Sequence, residues 1–247
     1  MALYAIGDLH LSIVSSRKIG IFRKRTHYEL YKPMDVFDPV WKDHADKLER
    51  FFHKMVSPTD TVVITGDHSW GVTLAECEKD FSFICALPGR KILLRGNHDL
   101  FWDTKKTEQL NKTFEGQLSF LQNNFYSYGD YALAGSKGIC FENKMPYERF
   151  TLLRDREMQR LRTSFEAAYG AGYRKFILFL HYPPTSVGET ESSFIRLAQE
   201  YGVKQIIYSH CHGQKRYYES YHGLVDGIEY HLVSSDFLRF KPKLILP

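Results

Sequence analysis

Cysteine is scarce: four in 247 residues, Cys77, Cys85, Cys140 and Cys211, with no CxxC pair and no framework spacing. A chain of this length buries a core without disulfide staples, so a reducing compartment is expected. Apolar runs are short, and none approaches the roughly 18 residues of a membrane span. No basic leader with an apolar core of about 7–15 residues opens the chain. A soluble, cytoplasmic protein with no membrane partner is therefore expected. Repeats, low-complexity tracts and composition breaks are also missing, so residues 1–247 read as a single domain. No long stretch is both charged and poor in aromatics, which argues against disorder. The excess of one charge sign is small, a formal net charge of +4. It suits a small anionic partner, and without a basic stripe it argues against nucleic acid.

Five short apolar runs stand out against these absences, each ending in polar residues able to bind metals or move protons. Ala2 to Ile6 runs into Gly7-Asp8-Leu9-His10, and Thr61 to Thr65 into Gly66-Asp67-His68. Lys91 to Leu94 precedes Arg95-Gly96-Asn97-His98-Asp99. Phe176 to Leu180 ends at His181, and Gln205 to Tyr208 at Ser209-His210-Cys211-His212. Runs apolar on both faces suit strands of a sheet covered on each side.

Helical spacing fills the gaps between them. Asp38-Pro39 has the form of a helix start, followed by Trp41, Ala45, Leu48, Phe52 and Met55 at helical intervals. Helices are also expected over Leu74–Leu87, Thr104–Gln122, Leu152–Tyr169 and Ser192–Tyr201. Phe125–Phe141 and the tail Arg216–Ser235 read as paired strands. Ser15–Asp38, with Arg17, Lys18, Arg23, Lys24, Arg25 and Lys32, shows no period. It is expected to be a long loop with room for a short irregular strand, either a lid or binding loop for an anion or a solvated insertion. Alternating strands and helices predict parallel strands joined by crossovers, with ligands bound outside the carboxyl ends of the strands.

Gathered at such an edge, the five runs offer Asp8, His10, Asp67, Asn97, His181, His210 and His212. This is too many ligands for one tetrahedral ion and suits two ions sharing a carboxylate. A nitrogen and oxygen set without thiolate points to divalent Mn, Fe, Zn or Co rather than Mg or Ca. Two such ions serve phosphoryl displacement by an ionised water.

In this order the motifs Asp8-x-His10, Gly66-Asp67, Gly96-Asn97-His98-Asp99, His181 and His210-x-His212 resemble the calcineurin-like metallophosphoesterase family. The likeness extends over residues 7 to 213. It implies an α/β fold of two stacked mixed sheets flanked by helices, a four-layer αββα sandwich. One ion would be held by Asp8, His10, Asp67 and His212. The other would be held by Asp67, Asn97, His181 and His210, with Asp67 bridging. The resemblance implies hydrolysis of a phosphomonoester or phosphodiester by metal-bound hydroxide. His98 would be the general acid, steered by Asp99, whose charge would raise its pKa. Two departures are visible. Ser209 stands where the family usually has Gly, and the arginine of the protein phosphatase motif is missing after Gly66-Asp67-His68-Ser69-Trp70. The pattern is more similar to uncharacterised bacterial phosphoesterases. Two other readings are a catalytically silent scaffold for protein interaction, which should have lost His98, and a nuclease, which should carry more positive charge.

Residues around the motifs have plainer roles. His68 is expected to point away from the metals, Arg95 to pair with a carboxylate in preference to contacting phosphate, and Cys211 to fill space. Trp70, Phe101 and Trp102 either stack on a ring of the substrate or pack around the loops.

Overall fold

The computed structural model describes residues 1–20, 25–142 and 145–247. In chain order the strands are β1 (Leu3–Ile6), β2 (Ile13–Ile19), β3 (Arg25–Leu30), β4 (Thr61–Ile64), β5 (Arg90–Leu94), β6 (Leu118–Leu121), β7 (Phe125–Tyr128), β8 (Tyr131–Ser136), β9 (Lys175–Leu180), β10 (Gln205–Tyr208), β11 (Gly223–Val225), β12 (Ile228–Leu232) and β13 (Lys243–Leu246). The helices are α1 (His44–Met55), α2 (Glu78–Ala86), α3 (Thr107–Thr113), α4 (Tyr147–Gly170), α5 (Ser193–Glu200) and α6 (Gly213–Tyr218). One sheet has the order β13-β1-β4-β5-β6 and a second β11-β12-β10-β9-β8-β7, while β2 and β3 form a separate hairpin. In the first sheet β1, β4, β5 and β6 are parallel, and β13 closes the edge antiparallel to β1. In the second, β8, β9, β10 and β12 are parallel.

Side-chain alternation explains why the runs are apolar throughout. Leu3, Ala5, Val63, Ile92 and Leu94 point between the sheets, against Leu133, Ile177, Phe179 and Ile207. Their strand neighbours Ile6, Val62, Ile64 and Leu93 face Leu48, Phe52, Phe81 and Ile84 of α1 and α2. On the far side Phe176, Leu178, Ile206 and Tyr208 pack on Leu161, Phe165, Phe194 and Leu197 of α4 and α5. Each central strand thus buries both faces, one in a sheet–sheet layer and one in a sheet–helix layer, which is the four-layer αββα arrangement expected.

Four expectations are corrected. Much of Ser15–Asp38 is strand rather than loop: among the described residues β2 and β3 pair antiparallel from Ile13↔Leu30 to Ile19↔Arg25. β2 is almost wholly exposed, so no apolar alternation marked it. Polar contacts hold the hairpin instead, with Tyr28 N–H donating to Asp46 at 3.0 Å, and Thr26 to Glu49 at 3.1 Å on α1. Arg23 and Lys24 lie outside the described residues. The helix over Thr104–Gln122 is only α3, because the chain turns at Gly116 (φ +76°) and Leu118–Leu121 becomes the edge strand β6. The helix over Leu74–Leu87 begins only at Glu78. In the tail, residues 216–218 belong to α6 rather than to a strand. At Asp38-Pro39 the capping is as expected, with Asp38 Oδ1 accepting from Val40 N–H, but it caps one 3-10 turn before α1 begins at His44.

No helix among the described residues is long and apolar enough to cross a membrane.

Candidate metal centre

β1, β4, β5, β9 and β10 all end at the same edge of the sandwich, and their following loops converge. Asp8, Asp67 and His181 are buried, with His10 nearly so. Two triads emerge, Asp8–His10–His212 and Asp67–His181–His210, each with one ligand atom per residue within 4.8 Å of the others. Asp67 Oδ2 lies between them, 3.8 Å from His10 Nε2 and 3.5 Å from His181 Nε2. Asn97 Oδ1 is 2.7 Å from His181 Nε2. All seven predicted ligands are thus brought together. His98 stands beside them, half-buried, with its ring 5.7 Å from that of His10.

The local backbone is bent to make this possible. Asp8, His10, Asp67 and His210 all have positive φ, between +45° and +70°. Such conformations cost non-glycine residues free energy and persist where surroundings over-determine them, characteristically at functional sites. Gly96 is required by close approach: a Cβ there would lie 2.1 Å from Asp67 Oδ1. Ser209 is no obstacle. It avoids positive φ, and its hydroxyl donates to the Thr65 carbonyl at 3.0 Å.

Second partners fix the imidazoles. His181 Nδ1 contacts the Thr65 carbonyl at 2.9 Å, leaving Nε2 to the centre. His212 Nδ1 is held by Asp236 Oδ1 at 2.9 Å, and Asp236 also accepts from the Tyr217 hydroxyl at 2.6 Å. His210 Nε2 meets Glu142 Oε1 at 3.3 Å. Carboxylates or carbonyls behind ligating histidines set tautomer and ring orientation. Asp236 and Glu142 were missed from sequence. Asp236 carried a readable signal, since it follows the apolar strand β12 as the other site residues follow theirs. Glu142 follows no such strand.

Asp99 is placed differently from the expectation. Its Oδ2 accepts from the N–H groups of Asp67 (2.9 Å) and Gly96 (2.6 Å), and its Oδ1 from that of His68 (2.8 Å). His68 Nδ1 lies 2.9 Å from Oδ2. With both oxygens engaged, Asp99 makes no hydrogen bond to the His98 ring among the described residues. His68 does point away from the metal ligands, into a buried position against Asp99. Nor does any carboxylate pair with Arg95 among the described residues, and its Nε is buried without a partner. Trp102 and Phe101 are core residues. Trp70 is only partly buried against that core: it stacks on His10 (4.9 Å between ring centres) and leans on His98 (4.4 Å). Cys211 is buried, as a filler should be.

The electrostatics are those of a site short of positive charge. Burial pushes Asp8 up, and burial together with Asp99 and Asp8 pushes Asp67 well above the carboxylate range. Burial also pulls His10 and His181 well down, aided by neighbouring imidazoles. For His212 burial opposes protonation, but Asp8 and Asp236 override it and raise the group to about 9. His98 is lowered, first by burial and then by His210, with Lys32 adding to the effect and Asp99 only partly opposing it. The net rise expected for His98 is therefore not found. Asp8 Oδ1 and His10 Nδ1 are buried with no hydrogen-bond partner. Buried carboxylates facing His10 and His181, both held toward the neutral form, with ligand atoms left unpartnered between them, fit divalent cations and fit a purely hydrogen-bonded core poorly. A cavity of about 810 Å³ bordered by Gly213 and Asp236 includes none of the nine predicted site residues. The donor geometry, rather than cavity size, locates the chemistry.

A sequence model of calcineurin-like phosphoesterases matches residues 1–214. No curated protein matches the chain. Among solved structures, the chain is similar to a phosphopantetheinyl hydrolase of Mycobacterium tuberculosis, at 13% identity and TM-score 0.56, covering 100% of this chain and 96% of the other. It is also similar to the protein TT1561 of Thermus thermophilus, at 10% identity and TM-score 0.56, covering 99% and 97%. A protein of unknown function from Aquifex aeolicus, AQ665, aligns over 98% and 95% at 15% identity with TM-score 0.45. At these identities the likeness concerns the fold.

Proposed function

This chain belongs to the calcineurin-like phosphoesterase family, and on that premise we propose that it hydrolyses a phosphomonoester or phosphodiester with two divalent transition-metal ions, Mn, Fe or Zn. The observation that carries the reading is Asp67 Oδ2, set between His10 Nε2 and His181 Nε2 at 3.8 and 3.5 Å. Asp8, His10, Asp67 and His212 would hold one ion; Asp67, Asn97, His181 and His210 would hold the other. When bound, the ions supply an ionised water near neutral pH and neutralise phosphate charge. The protein's part is to fix the donors and to exclude alternatives. Asp236, Glu142 and the Thr65 carbonyl hold three imidazoles in the ligating orientation. Asp99 clamps the two loops that carry Asp67 and His98. His98, beside Trp70 and His10, would give a proton to the leaving oxygen once the charge of a bound phosphate favours its protonated form.

The test is turnover of p-nitrophenyl phosphate and its bis ester with added Mn²⁺, Fe²⁺ or Zn²⁺, together with elemental analysis of wild type, Asp67→Asn and His98→Ala. Asp67→Asn is expected to lose metal from both positions, and His98→Ala to keep metal while kcat drops about 10²–10⁴-fold. Equal metal content in wild type and Asp67→Asn, or no turnover of any phosphate ester, refutes the reading.

A further inference from the structure

Lys32 is brought beside the centre by a segment that the metal ligands do not require. Where β3 ends, Tyr31 N–H donates to the Ser12 carbonyl at 2.9 Å. Lys32 N–H donates to the Ser12 hydroxyl at 3.1 Å, and that hydroxyl lies 3.3 Å from the Lys32 carbonyl. Ser12 is buried, two residues past His10. The hairpin's end is thereby fastened to the stretch that bears His10. From there the Lys32 ammonium reaches 3.3 Å from the centre of the Trp70 ring, and Trp70 packs on both His10 and His98. No carboxylate pairs with Lys32 among the described residues. An ammonium held against an indole face is positioned without spending its three N–H donors.

We propose that Lys32 selects a phosphomonoester dianion, its ammonium binding the phosphate oxygen that a diester replaces with a second ester group. This rests on the phosphoesterase reading above. Phosphorus carries four oxygens in both classes, and three are shared in kind: the leaving ester oxygen and two non-bridging oxygens. The fourth is anionic in a monoester and an uncharged ester oxygen in a diester. A fixed cation beside that position strengthens binding of the dianion and meets no anion in the diester, which is discrimination by charge. The protein phosphatase arginine is missing from the loop after Asp67, and Trp70 of that loop carries the Lys32 cation instead. A second cation, Lys137, neighbours Arg95 and is near enough to Asp67 to feel its charge, while burial pulls it down. It is the competing assignment.

The metal-loaded protein is assayed on p-nitrophenyl phosphate and bis(p-nitrophenyl) phosphate as wild type, Lys32→Met, Lys32→Arg and Lys137→Met. Inorganic phosphate is titrated calorimetrically into the same four proteins, and metal content is measured. In Lys32→Met the ratio of monoester to diester kcat/KM is expected to fall about 30-fold, and phosphate Kd to weaken about tenfold, at unchanged metal content. Lys32→Arg is expected to restore both to within about threefold. An unchanged ratio in Lys32→Met, an unchanged phosphate Kd, or a loss confined to Lys137→Met overturns the assignment while leaving the phosphoesterase reading intact. A wild type that turns over neither ester removes both.

Discussion

Asp99 decides between two accounts of how the loops after β4 and β5 work. In one it steers His98, and in the other it is the clamp that holds the Asp67 loop against the Gly96 loop. The contacts favour the clamp: three backbone N–H groups converge on its carboxylate at 2.6, 2.8 and 2.9 Å, all buried. Burial alone would raise this acid, yet His68 and those N–H donors hold it below the usual carboxylate range. A folded value below the unfolded one means that its contribution is present above the ordinary carboxylate pKa. It is lost as pH falls through the folded value.

Asp99→Asn retains one carbonyl oxygen. Kept at the Oδ2 position, it still accepts from Asp67 and Gly96, while the amide NH₂ faces the His68 N–H and orphans it. One buried unsatisfied donor costs about 1–3 kcal/mol, so a loss of about 2 kcal/mol is expected. Asp99→Ala orphans all three donors. Relaxation and non-additivity hold the total near about 4 kcal/mol, a fall in Tm of about 8–16 °C for a domain of this size. Because the clamp positions the shared ligand Asp67, metal affinity is expected to weaken about 10–100-fold in both variants. Urea unfolding of metal-free protein reads the first effect, and metal retained after dialysis reads the second. A kcat loss in Asp99→Asn with unchanged unfolding midpoint and metal content would refute the clamp and restore the steering role.

Two further outcomes follow from single contacts. Gly96→Ala would place a Cβ 2.1 Å from Asp67 Oδ1 and close to the Asp67 amide; the carboxylate has to move, so metal content is expected to drop below half of wild type, with a stability loss of about 3 kcal/mol. Wild-type metal content in that variant would show that the loop yields freely. Asp80, which accepts from Ile13 N–H at 2.8 Å and from the Ser69 hydroxyl at 2.5 Å, is raised by burial to about 6. Its folded value exceeds the unfolded one, so the folded state binds more protons and stability falls as pH rises from about 4 to about 6, by up to about 3 kcal/mol. Urea midpoints of wild type and Asp80→Asn from pH 4 to 8 check this: the variant lacks that slope, and parallel profiles would contradict it.

The site was legible because its residues obey a rule that a sequence can display, namely polar side chains at the carboxyl ends of strands that bury both faces. That rule needs only the apolar run and the residue after it, so it located Asp8, Asp67, Asn97, His181 and His210 without knowledge of pairing. It would also have reached Asp236 beyond β12, had the tail been read the same way. What it could not display is partnership. Asp99 is adjacent to His98 in the chain, which suggested contact, but the backbone turns so that the acid faces inward to the N–H groups of Asp67 and His68 on the neighbouring loop and of Gly96 on its own. The hairpin β2–β3 was hidden for the converse reason. β3 is held to α1 by polar contacts of Thr26 and Tyr28 with Glu49 and Asp46 rather than by an apolar face, and the exposed polar strand β2 carries no hydrophobic period. The two failures share a cause: chain adjacency and apolar periodicity report burial, whereas hydrogen-bond direction is set by loops whose φ values, as at Asp67 and His210, lie outside the regions that residue type predicts. Lys32 belongs to that same class. Its position over Trp70 rests on the carbonyl and hydroxyl of one buried serine, Ser12, which makes the end of an unpredicted hairpin part of the wall around a predicted centre.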